Sequence, residues 1–311
     1  MPFLSIVLPA YNEEVYLDAA VATIASRMAA AGFPYEIVVV DDGSTDDTAA
    51  RAKEIAARFD ARGRLGDVAA WSEMHVLSYA PNRGKGHAVR TGVLASRGRF
   101  VVFMDVDLST SPSYIPAFLT EAAAGSDVVV ASRRLPGSLA LPPQGPVRRI
   151  GGRAFTRLSC AALGLPPTTT DVTCGFKMFR GTAARALFAR QKLDGWGFDA
   201  EILFLAHRAG LSIRELPVRW SNRSDSRVRV LRDAFRTFGE LIAVRGHAAS
   251  GGYGDFELPV AGPGSLEKRS DPASSGAGAA GLENPFPALE EGAEAGSGVG
   301  GRDLRDLLRR S

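Results

Sequence analysis

Two acids separated by one residue, Asp105-Val106-Asp107, directly follow the apolar run Phe100-Val101-Val102-Phe103-Met104. Carboxylates so placed can reach one divalent ion and the groups bound to it, because hard cations such as Mg²⁺ and Mn²⁺ take oxygen ligands and share them between protein and phosphate. Asp-x-Asp alone is a common pattern in which one acid caps a helix and the other is solvated. Its place after a buried strand favours the metal reading. Asp41-Asp42-Gly43-Ser44-Thr45-Asp46-Asp47 follows a second apolar run. Ser44 and Asp47 have the spacing of a capping box, which leaves Asp42 to accept hydrogen bonds from a nucleotide base or ribose. Pro9-Ala10-Tyr11-Asn12-Glu13-Glu14 combines a rigid turn, an aromatic face and acids near a helix start. Those acids read equally as ligand contacts or as partners of the helix dipole. Asn82-Arg83-Gly84-Lys85-Gly86 puts cations in a flexible loop ahead of a helix, where Lys85 and backbone amides can meet phosphate, although this is not a Walker loop. The four histidines lack ligand-like spacing, and Cys174 reads as a small packed residue on a strand edge.

These clusters need a scaffold that gathers strand ends. Short apolar runs at residues 4–8, 36–40, 75–78, 100–104 and 127–131 alternate with amphipathic stretches at 13–28, 46–59, 87–96 and 113–123. Continuous apolar strands separated by helices predict an α/β domain, a mainly parallel sheet with helices on both faces. Such sheets bind ligands at the carboxyl ends of their strands. The polar clusters after the first, second and fourth runs, with Ser132 and Arg133 after the fifth, then share one rim.

The chain has 311 residues, 45% hydrophobic and 23% charged, enough apolar material for a sizeable core. Residues 1–250 read as one domain, and 251–311 as a disordered Gly/Ala/Pro-rich acidic tail with a short basic amphipathic end. The tail carries a charge of −4, so the net +3 hides a body of +7. Arg133, Arg134, Arg148, Arg149, Arg153 and Arg157, then Arg219, Arg223, Arg227 and Arg229, supply much of that excess and suit phosphate groups. Two cysteines without metal-ligand spacing fit a reducing cytoplasm. The start lacks a signal-peptide pattern, and no apolar run approaches the ~18 residues of a membrane span. The expectation is a protein that is soluble or attached to a membrane surface.

Val7-Leu8-Pro9-Ala10-Tyr11-Asn12-Glu13-Glu14, Val40-Asp41-Asp42-Gly43-Ser44, Asn82-Arg83-Gly84-Lys85-Gly86, Asp105-Val106-Asp107 and Ala131-Ser132-Arg133 together resemble a family 2 glycosyltransferase of the GT-A fold. The second half, through Asp171-Val172-Thr173-Cys174-Gly175-Phe176-Lys177, Trp196-Gly197-Phe198-Asp199-Ala200-Glu201 and Glu215-Leu216-Pro217-Val218-Arg219-Trp220, looks most like the dolichyl-phosphate β-glucosyltransferases. The resemblance implies an inverting enzyme that moves a hexose, glucose from UDP-glucose, onto a polyprenyl or dolichyl phosphate. A GDP-mannose donor and a soluble or polymeric acceptor are the alternatives. It further implies that Pro9, Tyr11, Glu13 and Asp42 hold the nucleoside and that Lys85 and Asp105 contact the nucleotide-sugar or its metal. Asp107 would ligate Mg²⁺ or Mn²⁺, Arg133 would face the acceptor phosphate, and Arg223 and Arg227 would clamp phosphates.

Arg148, Asp199 and Glu201 are candidates for the sugar or acceptor, the last two reading equally as structural helix residues. Arg227 stands where this family usually has lysine, and Ser109 where some mannosyltransferases have a glutamine. The expected partners are the nucleotide-sugar, the lipid phosphate, the cytoplasmic face of a membrane and a separate membrane protein, with no nucleic acid. Residues 147–163 and 228–244 mix arginines with large apolar side chains, so each suits either an anionic bilayer or a packed helix.

Overall fold

The computed structural model describes residues 1–64, 72–142, 145–221 and 230–254. The predicted tail lies outside these, apart from its first four residues. In chain order the strands are β1 (Leu4–Ala10), β2 (Tyr35–Asp42), β3 (Ser72–Tyr79), β4 (Phe100–Met104), β5 (Val128–Ser132), β6 (Leu139–Leu141), β7 (Phe176–Arg180), β8 (Ile213–Pro217) and β9 (Arg219–Ser221). The helices are α1 (Glu14–Ala31), α2 (Thr48–Arg64), α3 (Lys85–Ala95), α4 (Ile115–Ala123), α5 (Pro146–Leu163), α6 (Gly181–Arg190), α7 (Phe198–Arg208) and α8 (Val230–Ala249).

Seven strands form one sheet in the order β3-β2-β1-β4-β7-β5-β8, while β6 and β9 pair separately. β1 pairs in parallel with β2 and β4, β2 with β3, and β5 with β8. Only β7 runs the other way, Met104 facing Phe176 in its ladder with β4. Every residue of β2, β4 and β5 is buried, so both faces of the central sheet are covered, as unbroken apolar runs require. β3 is one of the two edge strands, and its Ser72, Glu73 and His75 are only partly buried, which is why its apolar run is shorter than the strand itself. Between β4, β7, α6 and α7 the core is aromatic: Phe103 lies 6.1 Å from Phe179, 6.3 Å from Phe188 and 5.7 Å from Phe198, ring centre to ring centre.

Two local expectations are corrected, and the two arginine-bearing apolar stretches are placed. The capping box at Ser44 and Asp47 does not form. α2 begins at Thr48, whose N–H bonds to Asp46 Oδ1 at 3.0 Å, while the Ser44 hydroxyl accepts from the N–H of Asn12. Cys174 is buried beside a central strand and not on an edge. Residues 147–163 and 230–244 belong to α5 and α8, which pack on each other, while 228 and 229 lie outside the described residues. α5 buries Thr156, Ser159, Cys160 and Leu163, and α8 buries Leu241 and Val244, yet Ile150, Leu158, Phe238 and Ile242 face outward. Among the described residues no helix is long and apolar enough to cross a membrane.

Candidate active site

The loops leaving β1 and β2 are clasped together. Asn12, in the left-handed region at φ 56°, gives its N–H to the Ser44 hydroxyl at 2.9 Å and accepts the Thr45 N–H at 2.8 Å. Asparagine is among the few non-glycine residues that visit that conformation, and here its side-chain oxygen is held from the neighbouring loop by Thr45. The N–H of Glu13 bonds to Thr48 Oγ1 at 2.8 Å, and Glu14 accepts from Asp47 N–H at 2.9 Å. The segment carrying Pro9, Tyr11 and Glu13 is therefore fastened to the start of α2. Tyr11 keeps an exposed ring, while Pro9 and Glu13 are half-buried.

Asp42 organises the next loop. One carboxylate oxygen accepts from Tyr79 Oη at 2.8 Å and Arg83 N–H at 2.9 Å; the other accepts from Asn82 Nδ2 at 2.8 Å and Gly84 N–H at 2.9 Å. Burial and the adjoining Asp42 carboxylate together push the Tyr79 hydroxyl's pKa upward, so it stays a donor. Asp42 thus shapes residues 82–84 and delivers Lys85, the first residue of α3, to the centre of the rim. Lys85 Nζ lies 2.5 Å from Asp105 Oδ1. Burial works against its charge, but Asp105, Asp199 and Asp107 outweigh burial and hold the ammonium's pKa above its ordinary value.

Asp105 rests against Gly175, where an added Cβ would come 2.3 Å from Oδ2. Two residues on, Asp107 accepts from Ser109 N–H at 2.9 Å and from the Ser109 hydroxyl at 2.7 Å. Leu108 between them has φ 52°, a conformation costing a non-glycine residue about 1–3 kcal/mol and found where a site over-determines its backbone. Here Leu108 N–H to Asp105 O at 3.1 Å and the Asp107–Ser109 bonds supply that constraint.

Two ion pairs brace this rim from below, one reaching up to the partly exposed Arg133 and one wholly buried. Arg133 grips Asp171 through Nε at 2.7 Å and Nη2 at 2.8 Å, and Nη2 also reaches Thr173 Oγ1 at 3.0 Å. Burial alone would raise the Asp171 carboxyl's pKa, but Arg133 and then Arg134 hold it well below the usual carboxylate range. Lys177, fully buried in β7, donates to Asp199 and, at 2.7 Å, to the carbonyl of Cys174. Burial raises Asp199 above the ordinary carboxylate range against the pull of Lys177 and Lys85. The same cause pushes the Cys174 thiol up to about 11.

Pro9, Tyr11, Asp42, Lys85, Asp105, Asp107 and Arg133 thus lie at carboxyl ends of strands of one sheet, or just beyond them. Glu201 does not join them. It is fully buried, accepting Lys192 N–H and Leu193 N–H at 2.9 Å each and Tyr253 Oη at 2.7 Å, so it pins a loop in the interior. Asp199 also faces inward, toward Lys177. Arg223 and Arg227 lie outside the described residues, as does the side chain of Arg148. Sequence reasoning gave no role to Gly175, Asp171 or Lys177. A lysine inside the apolar run Phe176-Lys177-Met178-Phe179 was the available signal, because a buried lysine demands a partner.

The sequence profile described as glycosyl transferase family 2 matches residues 5–188. The chain belongs to this family. Family 2 relatives include the dolichyl-phosphate beta-glucosyltransferase of Drosophila melanogaster, 34% identical over 236 residues, 72% of this chain and 69% of that one. The enzyme of the same name from Saccharomyces cerevisiae is 30% identical over 266 residues, 78% of this chain and 74% of that one. Among solved structures, glucosyl-3-phosphoglycerate synthase from Mycobacterium tuberculosis, in complex with Mn²⁺, UDP and glucosyl-3-phosphoglycerate, superposes with a TM-score of 0.54 at 23% identity, covering 78% of each chain. The family 2 resemblance and the GT-A fold expected from the motifs are borne out.

Proposed function

We propose that this chain is a metal-dependent inverting transferase that moves glucose from UDP-glucose to the phosphate of a polyprenyl or dolichyl carrier. The observation that carries the proposal is the unbroken series of contacts from Asp42 through residues 82–84 and Lys85 to Asp105 and Gly175, with Asp107 and Arg133 on the same rim. Relatives named dolichyl-phosphate beta-glucosyltransferase support the sugar and the acceptor class.

The donor set suits a divalent cation. Asp105 already attracts one cation, the Lys85 ammonium, and Asp107 adds hard oxygens two residues away. Among the described residues no cluster of three His, Cys, Asp or Glu forms, so an ion held by Asp105 and Asp107 would need oxygens from the bound diphosphate or water to complete its shell. Bound by Asp105 and Asp107, Mg²⁺ or Mn²⁺ would offset the charge of the departing diphosphate. Lys85, at the positive end of α3, favours the same anion. Pro9, Tyr11 and Glu13 are assigned to the nucleoside, with Asp42 acting there through the loop it holds, and Arg223 and Arg227 to the phosphates.

The acceptor phosphate has a second pKa of about 6, so it is largely dianionic at neutral pH and attacks the anomeric carbon without a strong general base. No base is needed from Asp199, which is engaged by Lys177. Arg133, anchored by Asp171, offers a rigid cation to that second anion, and holding two anions in line is the main task of the site.

The exposed Ile150, Leu158, Phe238 and Ile242 of α5 and α8 support peripheral contact with a membrane, directly or beside a membrane protein. Two free buried thiols are compatible with its cytoplasmic face. Incubation with labelled UDP-glucose, Mg²⁺ or Mn²⁺ and polyprenyl phosphate should transfer label to the organic phase. Label in an aqueous product only, or transfer from GDP-mannose only, would replace the acceptor or the donor.

A further inference from the structure

Trp196 is a large aromatic side chain left in the open beside the site, 47% exposed. Single exposed apolar residues are ordinary, but the segment that carries this one is built with unusual care. Its approach to the start of α3 depends on missing side chains. A Cβ at Gly84 would lie 2.5 Å from Asp194 O, and one at Gly86 would lie 2.7 Å from Leu193 O. On the other side, a Cβ at Gly195 or Gly197 would lie 2.4 Å or 2.7 Å from the carboxylate of Glu240. That carboxylate accepts the Gly197 N–H at 2.7 Å, and His87 N–H bonds to Asp194 O at 3.2 Å. Directly after Trp196 and Gly197 come the buried Phe198 and Asp199, the latter tied to Lys177. A solvent-facing ring gains nothing for the core from so fixed a support.

What the support achieves is position. Lys85 Nζ lies 5.2 Å from the centre of the Trp196 ring and 2.5 Å from Asp105 Oδ1. Whatever binds at Asp105 is therefore one side chain away from the indole. The ring has an electron-rich face and a broad apolar surface. A pyranose offers the complement: a face of polarised C–H groups bounded by hydroxyls. A nucleoside diphosphate alone offers nothing comparable at that end.

We propose that Trp196 is a positioning platform for the hexose of the nucleotide-sugar, an assignment that rests on the transferase reading above. The test is calorimetric titration, in Mn²⁺, of UDP-glucose and of UDP into the full-length protein and its Trp196→Ala and Trp196→Phe variants. Trp196→Ala should raise Kd for UDP-glucose about tenfold while Kd for UDP stays within about twofold, the scale of one aromatic contact. Trp196→Phe, which keeps a flat ring, should recover most of the loss and also controls for misfolding. Equal weakening of both ligands, an unchanged Kd for UDP-glucose, or a defect confined to the lipid acceptor would overturn the assignment. If the unsubstituted protein binds neither nucleotide, the transferase reading fails and takes this assignment with it.

Discussion

A methyl group placed on Gly175 would lie 2.3 Å from Asp105 Oδ2 and 2.8 Å from both Cγ and Oδ1. Ordinary van der Waals contact begins near 3.4 Å, so in Gly175→Ala the carboxylate has to retreat by about 1.1 Å. Gly175 is outside the left-handed region, so alanine brings no backbone strain of its own. The whole cost falls on Asp105 and, through it, on the bond to Lys85. Displacing a reacting constellation by about 1 Å costs about 100-fold in rate. Overpacking at the same point costs about 1–3 kcal/mol of stability, a drop of a few degrees in Tm that leaves the fold intact. The assay is transfer of labelled glucose to polyprenyl phosphate, read beside a thermal melt. Gly151→Ala, where nothing lies within 4 Å of the new methyl group, serves as the control and should leave turnover unchanged. Turnover of Gly175→Ala within about threefold of the unsubstituted protein, less than 1 kcal/mol of barrier, would refute the claim that Asp105 must sit where Gly175 seats it.

Asp107→Asn keeps an oxygen for the Ser109 N–H but removes the charge, and should lower turnover about 1,000-fold with an unaltered circular dichroism spectrum; near-normal turnover would remove Asp107 from the metal site. Asp171→Asn should cost about 3 kcal/mol at pH 7 by denaturant melts, because it breaks a buried pair. The folded pKa of Asp171 is depressed, so its contribution is complete above the unfolded value of about 3.9 and fades only as pH falls through the folded one. The gap between Asp171→Asn and the unsubstituted protein should accordingly persist at pH 5 and close only in strong acid; no gap at pH 7 would show the pair to be unimportant, and a gap that closes between pH 5 and 7 would show that the folded pKa of Asp171 is raised and not depressed. Cys160 and Cys174 are buried, and burial pushes the Cys174 thiol up to about 11, so iodoacetamide at pH 8 should label both only after unfolding. Rapid native labelling seen by mass spectrometry would contradict that burial.

Much of the sheet was readable because buried parallel strands are continuous apolar runs. Residues 4–8, 36–40 and 127–131 fall in or beside β1, β2 and β5, and 100–104 matches β4. The edge strand β3 was half visible, since its polar ends carry no such signal. The antiparallel insertion of β7 between β4 and β5 was not visible at all, because its pairing partners lie more than 40 residues away in sequence. The site followed the same division. Asp105, Asp107 and Lys85 could be found from their place at strand ends and a helix start. The partner of Arg133 lies 38 residues distant and that of Lys177 lies 22 residues distant, so only the folded chain reveals which charges meet. Asp42 shows the opposite limit: its location was legible, but not that four donors would converge on it.

The reversed direction of β7 has an architectural consequence. A purely parallel sheet meets its ligand only with segments departing from it, and each of those must also begin a helix. Because β7 runs backwards, residues 171–175 reach the rim as an arriving segment that opens no helix of its own. The foundation under Asp105 can therefore be altered, in nature or in the laboratory, without disturbing the helix beginnings that follow β1, β2 and β3.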